Sequence, residues 1–141
     1  MNDLRRRLMW HGAVLFLLGL LAGFAMPAFA NVRMGLSAHL EGVMNGILLL
    51  ALGAVWEAVR LSPRLDRLAR GAALFGAYAN FTTTTLAAAF GTGSMTPVAA
   101  PDRQAAGWQE GLVSAGFVSV GLAMLLVAVL LVVGLRGGAR R

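Results

Sequence analysis

Four long runs of apolar residues, almost free of charge, constrain this 141-residue chain more than any other feature. A hydrocarbon core about 30 Å thick takes roughly 20 helical residues to cross. The runs extend from about Leu8 to Ala30, Ser37 to Val59, Leu68 to Phe90 and Gly107 to Leu135. The fold expected is all-α, a polytopic membrane four-helix bundle forming one domain over residues 1–141. With 58% apolar and 13% charged residues, the chain is neither a water-soluble globule with an ordinary surface nor a disordered polymer. Cysteine is absent, which excludes disulfides, thiolate metal sites, iron–sulfur clusters and a cysteine nucleophile.

The breaks between the runs carry turn chemistry. Pro27 and Asn31 end the first helix, and Ser37 reads as the N-cap of the second. Ser62-Pro63 stops the second, because a residue before proline is pushed out of helical geometry. After the third comes a loop of about sixteen residues containing Gly91, Gly93, Pro97 and Pro101. Arg5–Arg7, Arg60, Arg64, Arg67, Arg70, Arg136, Arg140 and Arg141 fall on one side of the spans, and only Arg33 and Arg103 on the other. The positive-inside rule then puts both termini in the cytoplasm and the chain in the inner (cytoplasmic) membrane. The net charge of +6 is this interfacial arginine pattern and implies no nucleic-acid partner. Arg5–Arg7, an apolar stretch and Ala28-Phe29-Ala30 also fit a secretory signal with its cleavage site. The length of that stretch, and His11 and Gly12 near its start, favour a retained span.

Polar residues inside such runs need protein partners. Gly19/Gly23, Gly42/Gly46 and Gly107/Gly111 are pairs spaced for close helix approach. At about 100° per residue, His39, Gly42, Gly46 and Gly53 share one narrow sector of the second helix. That row leaves a slot for a flat, bulky group such as haem, with His39 as its ligand. A hydrogen-bonded histidine near the outer interface is the alternative. Asn45 lies about 120° round the same helix from His39. Asn80, with Tyr78 nearby, sits mid-way along the third run and must bond another helix or a ligand. Glu57 and Arg60 read as an interfacial pair. Glu41 and Glu110 read as first-turn carboxylates favoured by the helix dipole, and Trp108 as an interfacial anchor. With only His11 and His39, far apart in the chain, a multi-histidine metal site is not expected.

The stretches Leu36-Ser37-Ala38-His39-Leu40-Glu41-Gly42-Val43-Met44-Asn45-Gly46 and Tyr78-Ala79-Asn80 resemble the signature of the hydroxylaminobenzene mutase family. Trp10-His11-Gly12 and Trp108-Gln109-Glu110 fit the same family, and the likeness covers nearly the whole chain. More distantly the chain is similar to styrene oxide isomerase, another small four-helix membrane protein. The resemblance implies haem b with His39 as axial iron ligand and Gly42 and Gly46 beside it. It also implies Asn45 and Asn80 in or near the pocket of a small aromatic substrate, and a homotrimer in the lipid bilayer with haem held between subunits. Four residues after the third-helix asparagine, where the epoxide isomerases have a tyrosine, this chain has Thr84. That departure favours the mutase.

The reaction so implied turns an arylhydroxylamine into an ortho-aminophenol, with iron as Lewis acid on the N–OH oxygen. Asn80 and Asn45 orient the substrate, and Tyr78 is a candidate donor to the departing oxygen. An epoxide-to-aldehyde isomerase is the first alternative. A non-enzymatic haem-carrying subunit is the second, with Met44 or Met95 as the sixth ligand.

Overall fold

The computed structural model describes residues 3–136, so Arg140 and Arg141 lie outside the described residues. Those residues form four long helices and no strand: α1 (Asp3–Ala25), α2 (Val32–Val55), α3 (Pro63–Phe90) and α4 (Gly107–Leu135). Short 3₁₀ turns at Met26–Ala28 and Trp56–Ala58 follow α1 and α2. The segments Asp3–Ala28, Val32–Ala58 and Gly107–Leu135 are long and apolar enough to cross a bilayer. The 28 residues of α3 are long enough but more polar, since they carry Asn80 and the Thr82–Thr85 run.

Two helix starts differ from the sequence reading. Ser37 is not an N-cap; α2 begins at Val32, and Asn31 caps it by accepting the backbone N–H groups of Arg33 and Met34 at 3.1 and 3.2 Å. The Asn31 amide also donates to the Ala99 carbonyl at 3.3 Å, tying this end of α2 to the loop before α4. Ser37 instead hydrogen-bonds the Arg33 carbonyl one turn back. Ser62-Pro63 starts α3 as well as interrupting the chain: Ser62 is the N-cap and Pro63 opens the helix, where its missing N–H costs nothing.

Neighbours in sequence are neighbours in space, with α1 on α2, α2 on α3, and α3 on α4. The α1–α2 contact is the closest. A Cβ added at Gly42 would lie 2.4 Å from Gly19 Cα, and one at Gly46 would lie 2.6 Å from the Phe16 backbone nitrogen. The slot expected beside Gly42 and Gly46 is therefore filled by α1, which uses its own Gly12 and Gly19 to come that near. Among the described residues nothing on another helix lies within 4 Å of a Cβ added at Gly107 or Gly111, so that pair makes no close approach to α1, α2 or α3. The α3–α4 contact uses glycines outside any such pair, Gly76 under Met124 and Gly116 under Thr83.

One core cluster joins Leu8 and Leu15, Leu49 and Leu52, an alanine row at Ala69, Ala73 and Ala77, and Val127 with Leu130. Trp56 closes it at one end, its indole N–H donating to Asp66 at 2.8 Å. Glu57 pairs with Arg5, not Arg60: the Arg5 guanidinium also donates to the Gly53 and Ala54 carbonyls, so α1 caps the C-terminal end of α2. At the opposite end Met34, Ala87, Ala88 and Val113 form a second cluster beneath the 91–106 loop. Gly91, at φ 69°, turns the chain out of α3 in the left-handed conformation that glycine adopts without strain. Glu110, which does lie in the first turn of α4, accepts the N–H groups of Gly93, Ser94 and Ala105 at 2.9–3.1 Å and gathers the loop on one carboxylate.

Candidate functional site

Because α2 begins at Val32, Glu41 lies more than two turns inside the helix and owes nothing to the dipole of its first turn. It accepts two side-chain amides at one oxygen. Asn80 on α3 donates to Glu41 Oε2 at 2.5 Å, and Asn45, one turn along α2, donates to the same atom at 3.0 Å. Asn45 also reaches the Glu41 carbonyl at 2.8 Å and is buried. A carboxylate within a helical bundle is expensive unless its lone pairs are satisfied, and these two amides supply that compensation at Oε2.

Both asparagines are candidates from the sequence, and Glu41, which the sequence offers only as a helix-dipole carboxylate, is the acid that joins them. The signal was present, for Glu41 and Asn45 are four apart and share a helix face. The asparagines meet at Glu41, and Glu41 in turn lines an open groove of about 340 Å³ with Met34, Ser37, Thr84, Phe117 and the Met95–Ala99 segment. Thr84, at the position where the epoxide isomerases carry a tyrosine, is buried in that wall.

Tyr78 is seated elsewhere. Its hydroxyl lies 3.1 Å from His11 Nδ1, with the two rings edge to face, so it is engaged with α1 and not with the Glu41 cluster. His11 is thus the partner of Tyr78.

His39 is half-buried at the α1–α2 contact. Its ring lies against Gly23, where an added Cβ would come within 2.8 Å of Nδ1, and Nδ1 is 2.8 Å from the Gly19 carbonyl oxygen. A carbonyl only accepts, so Nδ1 carries the proton and Nε2 of the neutral ring presents a bare lone pair. A backbone carbonyl holding the non-ligating nitrogen is the usual support of a metal-ligating imidazole. The donor set at His39 thus fits an axial haem ligand. The outward surfaces of the same two helices are apolar, with Leu20, Phe24, Leu36 and Leu40 exposed. Glu41 is two residues on from His39, about 160° round the helix, so the imidazole and the carboxylate face opposite ways.

A bundle of four long helices, three of them long and apolar enough to cross a bilayer, defines a small polytopic membrane protein. The chain belongs to the styrene oxide isomerase family, whose match covers residues 4–136. It is 47% identical over 139 residues to hydroxylaminobenzene mutase HabB of Ectopseudomonas oleovorans, covering 98% of this chain and 85% of that protein. It is 34% identical over 125 residues to hydroxylaminobenzene mutase HabA of the same organism, covering 88% and 93%. No solved structure matches. The chain is therefore an enzyme of the isomerase class.

Proposed function

We propose that this protein is a haem b-dependent mutase that converts hydroxylaminobenzene-type arylhydroxylamines to 2-aminophenols. The observation that carries the reading is the His39 imidazole, fixed at Nδ1 by the Gly19 carbonyl with Nε2 free on an apolar face. The names of the two mutase relatives support the substrate class. Thr84 in place of tyrosine favours the mutase over the epoxide reaction.

His39 would hold the iron through Nε2, while Gly42 and Gly46 act at one remove by letting α1 close on α2 and bring the Gly19 carbonyl to the ring. Bound haem supplies a Lewis acid for the oxygen of the N–OH group. The protein's own contribution is orientation: Met34 and Phe117 give the groove an apolar wall against which the aromatic ring would lie. Asn45 and Asn80 hold Glu41 toward the groove. Since His39 and Glu41 diverge on α2, a site using both needs a second chain, which supports a homotrimer with haem between neighbouring subunits. The arginine asymmetry supports cytoplasmic termini in the inner membrane, and a C-terminal reporter that reads out the far side would reverse that assignment.

Asn80→Ala tests the site. Removing a hydrogen bond to a charged group costs about 1.5–3 kcal/mol, so turnover of hydroxylaminobenzene should fall by roughly 10- to 100-fold with haem content unchanged. Loss of haem and of folding together would make Asn80 a packing residue instead. Styrene oxide assayed beside hydroxylaminobenzene separates the two isomerase reactions, and preference for the epoxide would overturn the mutase assignment.

A further inference from the structure

We propose that Glu41 is the base that completes the rearrangement, taking the proton from the ortho carbon and returning it to nitrogen. The assignment rests on the arylhydroxylamine reading above. In that reaction the hydroxyl leaves nitrogen with the bonding pair and attaches through it to the ortho carbon. The product of that transfer is a ring imine whose ortho carbon is saturated and bears both the new hydroxyl and its original hydrogen. Aromaticity returns only when that C–H bond breaks. Its electron pair re-forms the ring double bond, the C=N pair moves onto nitrogen, and nitrogen takes up a proton to become the amine. No electron enters or leaves overall, and the proton removed equals the proton added.

This step needs a base beside the ring, and amides do not serve. Among the residues lining the groove, Glu41 is the one carboxylate. Its Oε2 is occupied by Asn45 and Asn80, whereas Oε1 accepts no hydrogen bond from the described residues. Two amides clamped on one oxygen fix the rotamer and leave the other oxygen for the substrate. The apolar neighbours Met34 and Phe117 suit an aromatic ring in the same groove that Glu41 lines. The arrangement explains why two asparagines from different helices converge on an acid rather than on each other.

The test is hydroxylaminobenzene deuterated at both ortho carbons, given to full-length detergent-purified wild type, Glu41→Gln and Glu41→Asp. For Glu41→Gln, kcat should fall by about 100-fold, with KM, haem content and melting temperature held. The slowed reaction should show a primary isotope effect larger than that of the wild type, and Glu41→Asp should recover part of the rate. If Glu41→Gln does not fold, Glu41→Asp carries the test, with slower turnover and the enlarged isotope effect expected. Turnover of Glu41→Gln at the wild-type rate, or a loss with no isotope effect in either variant, overturns the role of the carboxylate. A wild type that leaves hydroxylaminobenzene unchanged defeats the substrate reading itself, and so is distinguished from failure of this assignment alone.

Discussion

His39→Ala is expected to abolish the Soret band of the purified protein and its isomerase activity together. The imidazole is the single side chain assigned to the iron, and its Nδ1 is already committed to the Gly19 carbonyl. Disturbing the outer partner of a ligating histidine typically costs 10- to 100-fold in metal affinity, so removing the ligand itself should cost more than about 100-fold. The variant should still fold, because α1 and α2 meet through Gly12, Gly19, Gly42 and Gly46 without help from the ring. Absorbance, product analysis and melting temperature measured on one preparation check all three statements. An inactive His39→Ala protein that keeps a wild-type spectrum would move the iron elsewhere.

Gly42→Leu should remove the folded protein altogether. At Gly42 even a methyl group would overlap the Gly19 backbone, and a backbone cannot rotate aside as a side chain can. Overpacking against side chains costs typically about 1–3 kcal/mol. Forcing two helices apart along a contact that also holds Gly12, Gly46 and the His39–Gly19 hydrogen bond costs the whole interface. The expected readout is loss of a monodisperse, thermally stable species in detergent. Gly121→Ala is the control, since a Cβ at Gly121 meets nothing within 4 Å. A stable Gly42→Leu protein would contradict the α1–α2 packing described here.

The four helices were legible because apolar length is a local signal, and α4 runs over Gly107–Leu135 as read. Helix starts were less so, because one residue serves two purposes. Asn31 marks the end of the first apolar run and caps the next helix, and reading only the first role displaced the start of α2 to Ser37. The glycine periodicity was equally visible, but what fills the row beside His39 is non-local. Gly12 and Gly19 lie on another helix, and no spacing within α2 names them. The role of Glu41 is hidden for a related reason: a start of α2 at Ser37 puts it in a first turn, where the dipole explains it, and the true start at Val32 does not. Likewise Glu57 had Arg60 three residues away, yet Arg5 from α1 reaches it. For the glycine row, Glu41 and Glu57 alike, the residue is recognisable in the sequence and its partner on another helix is not.

The most direct measurement of the central claim is one absorption spectrum of the detergent-purified wild type, followed in the same cuvette by hydroxylaminobenzene and product analysis. A haem spectrum that responds to the substrate is expected, with 2-aminophenol formed. A colourless, haem-free protein that still makes 2-aminophenol would contradict it, as would a haem protein whose spectrum the substrate leaves untouched and that forms no product.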